Sequence, residues 1–222
     1  MKPFSIRREV TLGLFVYALY LLVRKLVLDR DGRARARRNA ERVVALERRA
    51  RLDVEPALQR MLLRFPRLVV GLNVGYALFN VSLTVGWLAL LFRRQDEGYH
   101  RLRRACLLAH VGAQPVFLVF PTAPPRVLDG FVDTLSELSG FDLEHRFLVR
   151  FYNPVAAMPS LHVAFAVVTA SNMASRTEHT AAKALAYAYP GIVSLVVAGT
   201  GNHYTLDAVA GAGLGAAAIQ VS

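Results

Sequence analysis

The sequence has little cysteine, little charge and few acidic residues, and each shortage excludes a class of protein. Its single cysteine, Cys106, has no partner for an internal disulfide and cannot build a cysteine-based zinc site. Only 19% of the 222 residues are charged, whereas 54% are hydrophobic. Soluble domains carry roughly 25% charged residues. This balance argues against a disordered chain and against an ordinary soluble enzyme.

The charge that is present is basic and unevenly distributed. The net charge is +11, and residues 1–67 hold 17 of the 27 basic side chains. Beyond Lys183, the only charged side chain is Asp207. A nucleic-acid-binding protein would spread its basic groups over a folded surface. Here they flank apolar stretches, which suits a bilayer and its anionic headgroups. We therefore predict an integral membrane protein whose partners are membrane lipids, and no nucleic acid.

Six apolar stretches approach the length of about 20 residues that is needed to cross the hydrocarbon core of a bilayer. They cover residues 10–23, 68–92, 105–120, 155–174, 181–200 and 203–222. The first is long enough only if Arg24 and Lys25 snorkel towards the headgroups. The sequence thus predicts an all-α fold, a polytopic membrane helix bundle with about six transmembrane helices. The first helix would lie within residues 1–29 and the main bundle within residues 67–222.

Residues 30–66 differ from the remainder, because apolar residues there recur at helical spacing among many arginines. The two apolar stripes are Ala36, Ala40, Val43, Leu46 and Ala50, and then Val54, Ala57, Leu58, Met61 and Leu62. Such a pattern predicts amphipathic helices that lie on the membrane surface. A helical hairpin packed on the protein's own loops is the alternative.

Short loops on the side of the N-terminus carry most of the remaining basic residues, so the positive-inside rule puts the N-terminus in the cytoplasm. The arginine-rich segment 30–66 contradicts this orientation. We retain it and expect a multi-pass protein of the cell membrane, with its polar helix ends on the non-cytoplasmic face.

A histidine and an aspartate stand four residues apart at the start of the last apolar stretch. Ionisable groups in membrane helices are costly and therefore suggest function. On a helix, His203 and Asp207 would share one face. A carboxylate beside one imidazole nitrogen fixes the tautomer and leaves the other nitrogen free as a nucleophile or base. The alternative is a buried pair with a purely structural role.

Two further polar groups also stand at predicted helix ends. Pro159 and Ser160 suit a helix start, whose free N–H groups can bind an anion, and His162 would lie in that first turn as a general acid. Arg126 follows a proline-rich stretch, and arginine binds phosphate through two hydrogen bonds. The alternative for His162 is an interfacial histidine on a capped helix. The alternative for Arg126 is an anchor at the level of the lipid headgroups. In a six-span topology, the ends at Arg126, His162 and His203 would meet on one side of the membrane.

These residues carry a family resemblance. Pro159-Ser-Leu-His162 and His203-Tyr-Thr-Leu-Asp207 resemble the second and third motifs of the type 2 phosphatidic acid phosphatase superfamily. Phe120-Pro-Thr-Ala-Pro-Pro125 is similar to the inositol phosphorylceramide synthase branch, also called the inositolphosphotransferase-like branch. The resemblance covers roughly residues 70–222. The sequence departs from the family at Val119 and Val197, where a lysine and an arginine of the motifs are absent.

The resemblance implies metal-independent phosphoryl transfer through a phosphohistidine, with no cofactor. His203 would be the nucleophile, Asp207 would orient it, and His162 would be the acid and base. Arg126 and Ser160 would hold the phosphoryl oxygens. Arg150 is a candidate substitute for the missing cations. With water as acceptor, residues 67–222 would form a lipid phosphate phosphatase.

The same motif residues leave other functions open. With an alcohol as acceptor, the chain would be a phosphotransferase that moves a headgroup such as phosphoinositol. A metal-assisted hydrolase could use His162, His203 and Asp207 as ligands. A non-enzymatic membrane scaffold or transporter is the third possibility.

Three further predictions give residues a role outside catalysis. Tyr17, Tyr20 and Trp87 are expected to be interfacial or lipid-facing aromatics. His110 is expected in a loop or at the interface. Gly211 and Gly215 match the spacing of closely packed helices.

Overall fold

A computed structural model describes residues 4–140, 145 and 147–222 of the chain. Within these residues, the protein is all-helical, with no β-strand, and the predicted all-α fold is confirmed. Its ten α-helices are α1 Ile6–Val27, α2 Arg30–Ala50, α3 Glu55–Leu62, α4 Pro66–Val74, α5 Asn80–Arg93, α6 Gly98–Val119, α7 Thr134–Ser139, α8 Leu161–Ala174, α9 Thr180–Gly199 and α10 Thr205–Gln220.

Two of the described helices, α1 and α9, are long and apolar enough to cross a membrane. Helices α8 and α10 contain 14 and 16 residues. At 1.5 Å per residue they extend about 21 and 24 Å, less than the ~30 Å of the hydrocarbon core. Helix α6 is longer, but His100 and three arginines occupy its first two turns. The predicted count of six spans is therefore not confirmed.

The predicted span at residues 68–92 is a helix with a π-helical turn in its middle. Helix α4, a π-turn at Gly75–Phe79 and α5 follow one another without a break. The backbone at Gly75 and Phe79 keeps helical angles, so the chain direction continues. Such turns are rare and often occur at functional sites. Here the turn carries Tyr76, whose ring stacks on His162 of α8 with 4.5 Å between ring centroids.

Only part of the apolar stretch at residues 155–174 is helical, because α8 begins at Leu161 with Ser160 as its N-cap, as the helix-start motif predicts. Residues 155–157 instead pair with the chain after α6. The Thr122 amide donates to the Val155 carbonyl (2.8 Å), and the Ala157 amide donates to the Thr122 carbonyl (3.0 Å). Pro159 disfavours helical angles at the preceding residue, so the helix does not extend back to residue 155.

Helix α8 lies at the centre of the bundle and packs against α6, α9 and α10. Small residues allow a close approach of α10. A Cβ atom on Gly211 would clash with the Ser160 carbonyl oxygen, and one on Gly215 would lie 2.7 Å from the Ala164 carbonyl oxygen. The predicted close helix packing is confirmed, and it aligns the start of α8 with the first turns of α10.

Helices α2 and α3 pack on the protein itself. Ala36, Ala40 and Val43 of α2 share a buried cluster with Ala123 and Tyr204. Leu58 and Leu62 of α3 lie against Gly199 at the end of α9. Such contacts are expected if residues 30–66 form a helical hairpin that packs on the protein itself. That the opposite, arginine-rich face lies on the membrane surface stays a prediction.

Candidate active site

A cavity of about 110 Å³ lies where three parts of the chain meet, namely the segment after α6, the start of α8 and the turn before α10. Arg126, His162 and His203 each line it, one from each part. The ring centroids of the two histidines are 5.7 Å apart. The three groups that the sequence predicts to converge are therefore brought together around a space suited to one phosphate group.

The surroundings of His203 determine its tautomer. Its Nδ1 lies 2.9 Å from the carbonyl oxygen of Ala157. Because a carbonyl oxygen can only accept, Nδ1 must carry the proton and donate it. This leaves the lone pair on Nε2 free for nucleophilic attack. The Ala157 carbonyl thus performs a task that the sequence assigns to Asp207 alone.

Asp207 is fully buried in the first turn of α10 and has two neighbours. Its Oδ2 accepts a hydrogen bond from the Tyr204 amide (3.0 Å) and lies 3.4 Å from Nδ1 of His203. Its Oδ1 has no hydrogen-bond partner among the described residues. Asp207 therefore caps α10 and also places its carboxyl group beside the His203 ring.

His162 is the second residue of α8, as the helix-start motif predicts. Tyr76 covers one face of its ring, and its ring nitrogens make no hydrogen bond with the described part of the chain. The backbone carbonyl of His162 accepts from the Asn80 side chain (2.9 Å). The ring is thus fixed by stacking while both nitrogens stay available for proton transfer.

Arg126 is held from several directions in the turn Pro125–Val127. Its amide donates to the Gly201 carbonyl (2.8 Å). One terminal nitrogen donates to Asn202 Oδ1 (2.6 Å) and the other to the Tyr152 hydroxyl (3.0 Å). Its Nε lies 3.9 Å from a carboxylate oxygen of Asp133. Because both terminal partners are neutral, the buried guanidinium can offer its charge to an anion in the cavity.

Two predicted phosphate ligands do not line the cavity. Ser160 is fully buried, and its Oγ accepts from the Val163 amide as the N-cap of α8. Its amide donates to the Asp207 carbonyl (3.0 Å), so it ties α8 to α10. Arg150 is exposed in the short turn Leu148–Arg150. In this structure, Ser160 acts as a cap, and Arg150 does not replace the cations that are absent at Val119 and Val197.

The sequence reasoning missed the neutral polar residues that complete the cavity. They are Tyr20, Tyr76, Tyr152, Asn153 and Asn202. The side-chain nitrogen of buried Asn153 has no partner among the described residues, so it is a further available donor. Asn153 and Asn202 stand within or beside the motifs, which is a signal that could have found them. No sequence spacing links Tyr20 of α1 to this site.

Aromatic residues that are predicted to be lipid-facing or interfacial also have specific partners within the protein, and their position relative to the membrane stays a prediction. The Tyr20 hydroxyl accepts from the Asn153 amide, Tyr17 donates to the Phe151 carbonyl (3.0 Å), and Trp87 donates to Asn172 (2.9 Å). His110 lies within α6, not in a loop, where its ring contacts the rings of Tyr20 and Phe165. Their hydrogen-bond and ring partners are distant in sequence, which is why composition alone assigned them to lipid.

Two buried glutamates hold the start of α10, on which His203 and Asp207 depend. Glu47 of α2 accepts from the Leu206 amide (2.7 Å). Glu55 of α3 accepts from the amide and hydroxyl of Thr205. Carboxylates are favourable at a helix N-terminus because its amides have no intrahelical partners. Segment 30–66 thus positions the start of α10, a role that its amphipathic pattern does not indicate.

Stability is expected to depend on pH through Glu47. Burial raises the pKa of its carboxyl from 4.5 to about 7, although the Leu206 amide opposes the shift. At a pH between these two pKa values, the Glu47 carboxyl holds a proton in the native state and has released it in the unfolded chain. The bound proton stabilises the native state, and this contribution to the free energy of unfolding is lost as the pH rises through 7. Glu47→Gln keeps the acceptor oxygen. Its melting temperature should fall less than that of the wild type between pH 5.5 and 8.

The control for this measurement is Glu41→Gln, which changes an exposed carboxylate of the same helix. It should keep the pH slope of the wild type. An identical slope for the Glu47 and Glu41 variants would contradict the assignment.

The metal-ligand alternative finds no preformed site in the part of the chain that the structure describes. No three or more histidine, cysteine, aspartate or glutamate side chains there are arranged to hold a metal ion. His162, His203 and Asp207 are therefore close to one another without forming a ligand set.

The chain matches a known protein family. The family model described as the PAP2 superfamily matches residues 41–221, which include every motif residue of the cavity. The match leaves out α1 and hence Tyr20. No curated protein and no solved structure matches the chain significantly.

Proposed function

The chain belongs to the PAP2 superfamily, the type 2 phosphatidic acid phosphatases, over residues 41–221, and on this premise we propose that it is a membrane phosphoesterase acting on a lipid phosphate. Membership supports a phosphatase- or phosphotransferase-type activity in general. The lipid substrate, the phosphohistidine intermediate, the metal-independent chemistry and the role of each residue belong to the proposal. The observation that carries it is the meeting of Arg126, His162 and His203 around one cavity.

In the first step, Nε2 of His203 attacks phosphorus, and the bond from phosphorus to the lipid oxygen breaks. His162 donates its proton to the leaving oxygen, so a neutral lipid alcohol departs. Arg126 and the Asn153 side-chain amide bind the phosphoryl oxygens. Asp207 stabilises the positive charge that develops on His203. Positioned charge of this kind dominates the catalysis of phosphoryl transfer.

In the second step, the neutral His162 takes a proton from the acceptor, whose oxygen attacks the phosphohistidine. The bond from phosphorus to nitrogen breaks and His203 regains its lone pair. With water as acceptor, the products are inorganic phosphate and the lipid alcohol. The chemistry up to the intermediate is the same for an alcohol acceptor, so only the second step separates the two activities.

A phosphotransferase of the inositol phosphorylceramide synthase kind is the second candidate, and the composition of the cavity favours it. Arg126 is the only arginine or lysine among the described lining residues, and the other polar groups, besides the two histidines, are tyrosines and asparagines. The phosphate of a phosphodiester such as phosphatidylinositol carries one negative charge, whereas that of a phosphate monoester carries up to two. Neutral donors and acceptors also suit the hydroxyl groups of a polyol.

We also propose that the enzyme is a multi-pass protein of the cell membrane with its site on the non-cytoplasmic face. Helices α1 and α9 support this, because both are long and apolar. Their large apolar side chains are exposed, among them Leu14, Phe15, Leu185 and Leu195. Exposed apolar surface on this scale is typical of contact with lipid.

The test of the proposal is an assay of purified protein with lipid phosphates and phosphatidylinositol, with and without an alcohol acceptor. Free phosphate identifies a phosphatase, and a new phosphodiester identifies a transferase. Activity should persist in excess chelator. Loss of activity in chelator, restored by added metal ion, would favour the metal-assisted alternative. No turnover of any phospholipid would leave the scaffold or transporter interpretation.

Replacing Arg126 by lysine is expected to lower kcat/KM by about 10- to 100-fold. Lysine keeps the charge but cannot reach Asn202 and Tyr152 while presenting two parallel donors to a phosphate. The matched control is Arg150→Lys at an exposed position outside the cavity. Equal losses in the two variants would show that Arg126 acts through overall charge alone.

A further inference from the structure

We propose that an apolar groove beside His162, between the helix of residues 66–93 and α9, holds a hydrocarbon chain of the lipid substrate. The groove encloses about 250 Å³ and includes Gly71, Gly75, Tyr76, His162 and Ile192 in its lining. This inference rests on the proposed function and assigns it a binding site for the substrate's chain.

The groove adjoins the candidate active site. Tyr76 and His162 line both the 110 Å³ cavity and the groove. A substrate whose phosphate lies in the cavity therefore has an apolar space directly beside it. The π-turn at Gly75–Phe79 forms part of this wall and carries Tyr76. The rare π-turn thus lies at the boundary between the polar and apolar parts of the site, as is common for π-turns at functional sites.

Beyond Tyr76 and His162 at its active-site end, the polar side chains of the described groove lining are already hydrogen-bonded to the protein. The Tyr189 hydroxyl donates to Asn80 Oδ1 (2.5 Å), and the Asn80 amide nitrogen donates to the His162 carbonyl (2.9 Å). None of the described lining residues is a lysine, an arginine or a carboxylate. Along this part of the groove, a polar occupant would lose hydrogen bonds to water and find few partners in return, so an apolar chain is the fitting ligand.

The groove extends far enough for an acyl chain. Phe79 and Tyr189 also line a second, largely apolar groove of about 470 Å³, which continues past Trp87 to Met173. Helix α8 runs alongside from His162 to Met173. At 1.5 Å per residue, this distance is about 16 Å. The two grooves together thus lead away from the phosphate position along the helices, as the tail of a bound lipid would.

Filling the groove should penalise long chains selectively. Gly75→Leu adds a side chain where no atom lies within 4 Å, so the fold should tolerate it. The kcat/KM ratio of a dioleoyl to a dihexanoyl lipid phosphate should fall at least tenfold. Ile192→Phe on the opposite wall should act in the same direction. Gly86→Leu is the control, because Gly86 is an equally open glycine of the same continuous helix and does not line the groove.

The only tryptophan of the protein provides a measurement that does not depend on turnover. Trp87 lines the second groove. A lipid phosphate brominated near its chain end should quench Trp87 fluorescence saturably in detergent, and Gly75→Leu should weaken this binding at least fivefold. Brominated phosphatidylcholine should quench much less.

The outcomes separate the two proposals. Wild-type inactivity towards both chain lengths would overturn the proposed function, whereas saturable quenching would still support the groove. An unchanged chain-length ratio in both filling variants would overturn the groove in an active enzyme. Equal quenching by brominated phosphatidylcholine would also overturn it, since Trp87 would then report ordinary bilayer lipid.

Discussion

Replacement of His203 by alanine is expected to abolish turnover, with a loss on the order of 10³-fold or more, while the protein still folds. The variant lacks the imidazole whose tautomer the structure sets for attack, through Nδ1 and the Ala157 carbonyl. The His203 backbone amide, which donates to the Val197 carbonyl (3.0 Å), is retained. Product release and melting temperature should be measured on the same purified sample.

The matched control is His179→Ala, which removes an exposed histidine at the start of α9. It should keep the wild-type rate. Rapid acid-free quenching with a radiolabelled substrate should trap label on the wild type and on His179→Ala, and none on His203→Ala. Retention of near wild-type phosphate release by the His203 variant would refute the nucleophile assignment.

Replacement of Gly211 by alanine is expected to lower both stability and activity, although alanine normally favours a helix over glycine. The added methyl group would meet the Ser160 carbonyl oxygen, which is backbone and cannot rotate away. Overpacking of this kind costs about 1–3 kcal/mol. The shift would also move His162 relative to His203. Misplacement of about 1 Å can slow catalysis by about 100-fold, so we expect a loss of about 10- to 100-fold.

Gly213 is the matched control, because it lies on the same helix, is exposed and has no atom within 4 Å of an added Cβ. Gly213→Ala should stabilise the protein by about 0.5–1 kcal/mol and leave the rate unchanged. Thermal unfolding and kcat should be compared for the two variants. Equal behaviour of both would mean that α8 and α10 have room to separate, against the contact seen at Ser160.

Both predictions depend on a precise distance between helices, which the sequence does not reveal, and Ser160 and Arg150, predicted from sequence to bind phosphate, do not line the cavity. A serine at a helix start has a local role as a cap, and the same pattern fits an anion site equally well. Only the packing of α10 on Ser160 distinguishes the two. Arg150 lies near the second motif in sequence, but nearness in sequence does not bring an arginine into a cavity.

The sequence by itself determined the helical fold and the superfamily of this protein. The apolar composition predicted helices. The motif residues His162, His203, Asp207 and Arg126 indicated the family, because a motif consists of residue types at a local spacing. The tertiary structure alone decided the rest. It brings together parts of the chain that are far apart in sequence. Examples are Tyr20 at the cavity, the Ala157 carbonyl at His203, the hydrogen bonds from the start of α10 to Glu47 and Glu55, and the groove beside Tyr76. Such contacts arise when helices pack, and no periodicity along the sequence encodes which faces will meet.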